Sequence, residues 1–502
     1  MKLLRRFLYV LIGLSLLLAL LLVWATQFAP ARFRVNIPIQ SIFGGIEANE
    51  QKIKQQLSAP RGFTISLYAG GITNARVLRF TNTGDLLVST PRSGQIILLK
   101  RDANRDGQSD GSRVLIDGLN RPHGIDFYDD WLYIAESNGF GRIRFDHQKG
   151  ITIGDYQPLV TDIPDTGNHW TRTIRIGPDH KVYLSVGSSC NVCEESDPRR
   201  AAMLRYELDG SGFEIFASGL RNSVGFDWSP IDGHIYATDN GRDLLGDDFP
   251  PDELNRVEQG KFYGWPYAHG NRVADPEFGI GQNKTIKQST PPAHNFRAHN
   301  APLGMEFLTS KTLPAEYRNI ALVALHGSWN RTTKDGYKVV SLHWNIDGEI
   351  EEKDFVTGFE HKGQVIGRPA DVRQGPDGAI YISDDFANAV YRVAWNETQG
   401  TGKLDPIDTD SSIKAAQLDI NNPKTKTDYQ AGKLLYQQHP CADCHESNQQ
   451  QNLIELVGLS NRYNLDSMQL LLKTPTPPMP TFSLNTEQRR QLATYLLIKF
   501  QD

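Results

Sequence analysis

Cys441-Ala442-Asp443-Cys444-His445 sets two thiols and an imidazole at the C-x-x-C-H spacing that attaches c-type haem. The thiols add across the haem vinyl groups and the adjacent imidazole becomes the proximal iron ligand, so all three must reach one porphyrin. Downstream, Thr476-Pro477-Pro478-Met479-Pro480-Thr481-Phe482 presents a methionine in a proline-stiffened loop. Asp102-Ala103-Asn104-Arg105-Asp106-Gly107-Gln108-Ser109-Asp110 spaces Asp102, Asn104, Asp106 and Asp110 as alternate oxygens around a glycine turn. That pattern fits either a structural calcium loop or an acidic hairpin turn, since Arg113 replaces the usual closing glutamate. Cys190-Asn191-Val192-Cys193 reads as a local disulfide that shapes a loop; a thioredoxin-type role would want a βαβ context, and zinc a second ligand pair. A haem needs an electron donor, yet no G-x-G-x-x-G opens a strand–helix unit, so a Rossmann nicotinamide or flavin site is unsupported.

The elements that must position these groups are mostly strands. Blocks such as Val77-Leu78-Arg79-Phe80, a turn at Asn82-Thr83-Gly84-Asp85 and Leu86-Leu87-Val88-Ser89 recur down the chain. Comparable blocks run from Gly124, Ile174, Val224 and Asp371, with a weaker copy from Leu303. Period-two alternation broken by Gly, Asp and Pro is the hairpin signature, and a recurrence of about 45–55 residues fits one four-stranded propeller blade. The expected fold is mainly β: a six-bladed β-propeller over residues 58–396, with an insertion of about 30 residues between Tyr236 and Leu322. After a polar linker at 397–428, helical periodicity over 429–502 predicts a small all-α domain.

The amino terminus carries Lys2, Arg5 and Arg6 ahead of an uncharged apolar run at 7–25. Spanning hydrocarbon takes about 20 residues, so residues 1–27 read as a signal-anchor transmembrane helix, with 28–57 as linker. The positive-inside rule then leaves a single-pass anchor in the cytoplasmic (inner) membrane and both larger domains in the periplasm or another extracytoplasmic space. In 502 residues with a formal net charge of −5 there is no long basic stripe, which argues against nucleic acid as a partner. Four cysteines exclude a disulfide-built scaffold.

Several segments, in order, resemble the soluble quinoprotein glucose dehydrogenases and L-sorbosone dehydrogenases. They are Asn168-His169-Trp170-Thr171-Arg172, Leu220-Arg221-Asn222-Ser223-Val224-Gly225, Asp252-Glu253-Leu254-Asn255, Tyr263-Gly264-Trp265-Pro266 and Arg368-Pro369-Ala370-Asp371-Val372. The resemblance implies pyrroloquinoline quinone (PQQ) bound with calcium at the propeller centre. It implies His169 as the general base, Arg221 with Asn222 beside it as the guanidinium that polarises a quinone carbonyl, and Arg368 as partner to a quinone carboxylate. Backbone carbonyls of Gly241 and Arg242 would ligate calcium. Ala370 stands where the family has a further arginine, so Arg331 or Lys338 is expected to supply that cation. Asn168 replaces an aspartate of the glucose enzymes, a lean towards the sorbosone-type branch. Residues 429–502 resemble class I cytochrome c, which implies His445/Met479 axial ligation and leaves Met468 to the core.

The expectation is a membrane-anchored quinohaemoprotein dehydrogenase that oxidises a sugar or related aldehyde or alcohol and hands electrons through haem c to a respiratory-chain acceptor. The alternatives are a calcium-dependent, lactonase-like propeller hydrolase and a sugar-binding redox sensor.

Overall fold

The computed structural model describes residues 6, 9, 11–17, 35–38, 40–41, 44–345, 348–395, 423–438, 441, 456, 459, 463, 465–473 and 483–500. Two compact units result, the second drawn mainly from 401–502.

The first unit is a six-bladed propeller of four-stranded antiparallel sheets. Blades 1 to 5 occupy 78–116, 125–160, 172–218, 226–296 and 302–356. Blade 6 pairs 369–395 with the earlier strand Phe63–Ala69, in the register Phe63↔Trp395, Thr64↔Ala394 and Ile65↔Val393. The ring is therefore closed by hydrogen bonds between its two chain ends, which removes the open sheet edges. The repeats do not announce this closure. The expected insertion lies between the third and fourth strands of blade 4, where it forms the hairpin Ala268–His269/Val273–Ala274 and the helix Asn283–Gln288.

The second strand of a blade is flanked on both faces by neighbouring blades. Leu86–Thr90, Val182–Val186, Ile235–Asp239, Ala321–Leu325 and Ile380–Asp384 are accordingly buried at every position. Outer strands such as Ser112–Ile116 alternate exposed and half-buried residues instead. Each fully buried Leu, Ile or Val contributes about 1.5–3 kcal/mol of transfer free energy.

The six innermost strands approach so closely at the axis that Cβ atoms are excluded at three of the entries, Gly124, Gly225 and Gly304. A Cβ on Gly225 would lie 2.2 Å from the Leu303 carbonyl oxygen, and one on Gly304 2.0 Å from Asp371 Oδ1. Each inner strand also sends one charged side chain into the ring: Arg79, Asp126, Arg175, Asp227, Glu306 and Arg373. Arg79 and Arg175 share Asp126 at 3.0 and 3.6 Å, Arg175 reaches Asp227 at 2.9 Å, and Arg373 reaches Glu306 at 3.6 Å. Burial lifts the Glu306 carboxyl above its ordinary range, and Arg373 works against that. Pairing is the condition for keeping such charges out of water.

Two expected boundaries move. Residues 28–57 are not all linker: Asn49 caps the helix Glu50–Gln56, whose Ile53 packs into the propeller core. The helix Pro423–Gln438 also starts inside the expected second linker.

In the second unit the described helices are Pro423–Gln438, Leu465–Lys473 and Thr486–Lys499. Asn485 and Gln488 form a reciprocal capping box at the start of the last. Leu435, Tyr436, Cys441, Met468, Leu492 and Leu496 share one apolar cluster. Met468 is a core residue, as its apolar surroundings in sequence suggest. Cys444, His445 and Met479 lie outside the described residues, as do most of residues 1–27. Among the described residues no helix is long and apolar enough to cross a membrane.

Candidate active site

Within a blade, strands 1 and 2 are antiparallel, so the start of one and the end of the other meet at the same rim. Residues just before a first strand and just after a second strand therefore converge from all blades on one face. There they enclose a cavity of about 730 Å³, within the range of cofactor sites. His169, Arg221, Asn222, Gly241 and Arg368 all line it.

His169 precedes the first strand of blade 3, Arg172–Ile176. Its Nδ1 lies 2.9 Å from both the carbonyl oxygen and Oγ of Ser188. A carbonyl only accepts, so Nδ1 carries the proton and Nε2 holds the lone pair. Ser188 Oγ donates onward to the Cys190 carbonyl at 2.8 Å. Burial, with Arg221 next, pushes the imidazole down to about 3. A histidine so placed is a neutral base at every ordinary pH. The acid limb of kcat/KM should consequently fall well below pH 6.5, with the rate level from about pH 5 upward; a half-loss near 6.5 in a dye-linked pH profile would contradict this.

The arginines are set by carboxylates at the ends of the second strands. Asp239 accepts from the backbone N–H of Arg221 (2.9 Å) and of Asn222 (2.5 Å). Asp384 accepts from those of Arg368 (2.9 Å), Phe386 (3.0 Å) and Ala387 (2.8 Å). Burial raises both acids, Asp384 to about 6 and Asp239 well above its ordinary range.

Arg221 lines the cavity and gives most of its donors to protein acceptors. Its Nε donates to the Asn191 carbonyl (2.9 Å), Nη1 to the Asn240 carbonyl (3.0 Å), and Nη2 to Asn191 Oδ1 (2.9 Å) and Asp243 Oδ2 (3.2 Å). It is a buried strut with one Nη1 hydrogen uncommitted among the described residues. Arg368 is less consumed: Nε and Nη2 donate to the carbonyls of His326 (3.1 Å) and Gly327 (2.8 Å), and no described bond takes up Nη1.

Arg331 and Lys338 are not at the cavity. Arg331 is buried against the Ala298 and Asp247 carbonyls and Asp248, while Lys338 pairs with Asp354 at 2.5 Å on blade 5. The cations actually present are Arg76, Arg92 and Arg121. Arg76 is paired with Asp385 at 2.9 Å; Arg121 stacks on Trp170 at 4.4 Å. Asp385 also accepts from His326 Nε2 at 2.8 Å. Burial opposes its ionisation, but His326, Arg76 and Arg368 together hold it well below the usual carboxylate range. Asp384-Asp385 repeats the strand-end position of Asp239-Asn240, as the matching Arg368 and Arg221 N–H bonds show.

Gly241 lies on the cavity wall, its N–H donated to Asp252 Oδ1 at 2.7 Å, and burial raises Asp252 to about 6. Arg242 backs this wall, its side chain turned to Asp275 at 2.6 Å. No described hydrogen bond takes up the Gly241 or Arg242 carbonyl. The acidic loop is different: Asp102, Asn104, Asp106 and Asp110 accept from their own backbone N–H groups, as in Gly107 N to Asp102 Oδ2 at 2.8 Å. The loop is exposed. Cys190 and Cys193 are joined in a disulfide. Among the described residues the one group of three His, Cys, Asp or Glu with ligand atoms within 4.8 Å of one another is these two cysteines with Glu195, and its sulfurs are already bonded to each other.

One buried atom asks for a partner. Asn222 Oδ1 has no hydrogen-bond partner among the described residues, and a Cβ on Gly187 would come within 2.6 Å of both it and His169 Cβ. The glycine keeps open a polar cradle between the proposed base and this amide.

Residues 57–396 match the model of a family described as TrAA12-like. A Borreliella burgdorferi protein described as uncharacterized is 31% identical over 390 residues, covering 74% of this chain and 99% of its own. A pyrroloquinoline quinone-dependent pyranose dehydrogenase of Coprinopsis cinerea is 25% identical over 408 residues; the match covers 67% of this chain and only 54% of that enzyme. Among solved structures, the calcium structure of a Trichoderma reesei member of carbohydrate-active enzymes family AA12 superposes with a TM-score of 0.60 at 21% identity, covering 68% of this chain and 97% of that one. That likeness is one of fold.

Proposed function

Since the chain belongs to the TrAA12-like family, we propose that its propeller is a PQQ-dependent dehydrogenase acting on a sugar or a related aldehyde or alcohol. The observation that carries the reading is His169 held as the Nδ1–H tautomer at a cation-lined cavity beside the unpartnered Asn222 Oδ1. The cavity fits a planar polycarboxylate. Arg368 has uncommitted donors, Arg121 and Arg92 carry no carboxylate partner in a described salt bridge, and guanidinium favours bidentate carboxylate contacts. Calcium, which prefers hard oxygen ligands, suits the unpaired carbonyls of Gly241 and Arg242.

When bound, PQQ supplies a two-electron acceptor able to take hydride from the substrate carbon. His169 Nε2 takes the proton of the substrate hydroxyl, and Ser188 keeps that nitrogen unprotonated and aimed. The lactonase-like alternative needs converging acidic side chains free to ligate; of the carboxylates lining this cavity, Asp385 is held by Arg76 and His326, Asp243 by Arg221, and Asp252 by the Gly241 and Ala301 N–H groups.

We further propose that Cys441, Cys444, His445 and Met479 hold haem c, a one-electron carrier, in the helical unit. The burial of Cys441 among apolar side chains fits a thioether anchor. A periplasmic position behind a single-pass anchor, and a respiratory acceptor, complete the proposal.

Titration of the protein with PQQ and calcium tests the cavity assignment. We expect saturable binding that Arg368→Ala weakens about 10–100-fold, the worth of a charge-assisted hydrogen bond, and that Arg331→Ala leaves unchanged. Absence of binding, or equal effects of the two variants, would overturn it.

A further inference from the structure

The Cys190–Cys193 loop plays no part in the chemistry so far, yet its hydrogen bonds run to both sides of the cavity. On one side, the Cys190 carbonyl accepts from Ser188 Oγ, which together with the Ser188 carbonyl accepts from His169 Nδ1–H. Ser188 N–H also donates to the Arg221 carbonyl at 2.7 Å, and Asn168 N–H to the Ser189 carbonyl at 2.8 Å. Glu195, just past the loop, accepts from Ser189 N–H (2.6 Å) and Oγ (2.8 Å).

On the other side stands Asn191, the residue inside the disulfide. Its Oδ1 accepts from Arg221 Nη2 (2.9 Å) and Asp243 N–H (2.8 Å), its Nδ2 donates to the Asp243 carbonyl (3.2 Å), and its own carbonyl accepts from Arg221 Nε (2.9 Å). The 239–243 loop that carries Gly241 is thereby fastened through Asn191 to the segment that carries His169. Closing so short a loop adds little to global stability. What the disulfide does is fix the backbone on which Asn191 and the Cys190 carbonyl sit.

We propose that the Cys190–Cys193 disulfide loop is a positioning clamp that locks the tautomer of His169 and its placement relative to the Gly241 wall. This rests on the reading of His169 as the base. Asn191 and the two cysteines are positioning residues acting through Ser188 and Arg221. Opening the loop lets the 188–193 backbone relax and carries both Ser188 acceptors, the carbonyl and Oγ, away from Nδ1, so that His169 can carry its proton on either nitrogen.

The test uses the full chain as wild type, the double variant Cys190→Ser/Cys193→Ser, Asn191→Ala with the disulfide intact, and the conservative Asn191→Asp. Two readouts are taken: kcat and KM for an aldose with PQQ, calcium and a dye acceptor, and the imidazole ¹⁵N shifts of His169 across pH in protein without PQQ. In the first two variants kcat falls about 10–100-fold, the usual cost of losing a group that orients a reacting side chain. KM and PQQ affinity stay within about threefold, because Arg368 and the Asp239 bonds to the Arg221 and Asn222 N–H groups are untouched. The ¹⁵N spectrum changes from pure Nδ1–H to a mixture, and the acid limb moves up towards 6.5. Asn191→Asp, which keeps the acceptor for Arg221 and the Asp243 N–H but loses the Nδ2 donor, restores kcat in part. Wild-type kcat together with a pure Nδ1–H spectrum in Asn191→Ala would overturn the clamp, whether or not the double variant folds. Should the wild type turn over no sugar at all, the dehydrogenase reading falls, and the ¹⁵N spectra still decide whether the loop sets the tautomer.

Discussion

His169→Ala abolishes sugar oxidation while leaving PQQ bound: kcat falls about 10³-fold, within the range for losing a general base, and the PQQ dissociation constant changes less than threefold. The imidazole gives its Nδ1–H to Ser188 and offers only Nε2 to the cavity, so truncation removes the proton acceptor without touching Arg368 or the Gly241 carbonyl. His169→Gln is informative beside it, because an amide fills similar space but cannot take a proton at working pH. Stopped-flow measurement with a dye acceptor, alongside fluorescence titration of PQQ, separates the two terms. Wild-type turnover in either variant would remove His169 from the mechanism.

Replacing Cys441 and Cys444 together by alanine separates the two units functionally. The variant lacks covalently bound haem, shown by loss of the pyridine haemochrome spectrum after acid–acetone extraction. Transfer to a one-electron physiological acceptor is lost. Dye-linked sugar oxidation at the propeller is retained within about twofold, because a thioether anchor in the helical unit takes no part in hydride abstraction. Haem retained after extraction would refute the attachment site; loss of dye-linked activity as well would show that the cavity depends on the helical unit.

The blade pattern was legible because a strand buried on both faces must be apolar throughout and a tight turn must recruit Gly, Asp or Pro. Asp371-Val372-Arg373, Gly375-Pro376-Asp377-Gly378 and Ile380-Tyr381-Ile382-Ser383 show all three. Ring closure by Phe63–Ala69 was not, since that strand pairs across more than three hundred residues and carries only ordinary alternation. The charged inner ring stood in view: Arg79, Asp126, Arg175, Asp227 and Arg373 occupy one position of successive blocks. Their signs acquire meaning only once the blocks are wrapped around an axis.

At the site, motif position correctly brought His169, Arg221, Asn222, Gly241 and Arg368 to one cavity. It did not show that Asn191, 30 residues earlier, takes up two of Arg221's donors, because nothing local to Arg221 reveals it. Arg331 and Lys338 were the natural candidates for a missing cation by chain proximity. The structure instead supplies Arg76 and Arg121 from rim positions ahead of blades 1 and 2, distant in sequence and adjacent only in the ring. The pattern at Asp102–Asp110 is an exposed turn whose acidic oxygens accept from the loop's own N–H groups, an arrangement that a calcium loop and an acidic turn share.

The central claim is that sugar oxidation at this propeller requires PQQ and feeds a haem in the same chain. It is tested most directly by preparing the full-length protein with haem attached, adding calcium with or without PQQ under anaerobic conditions, supplying a panel of aldoses and sugar-derived aldehydes, and recording the haem absorbance spectrum. The account predicts that the reduced α-band rises with at least one substrate only when PQQ is present, and fails to rise in His169→Ala. A haem that dithionite reduces but that stays oxidised with every substrate in the presence of PQQ would contradict it.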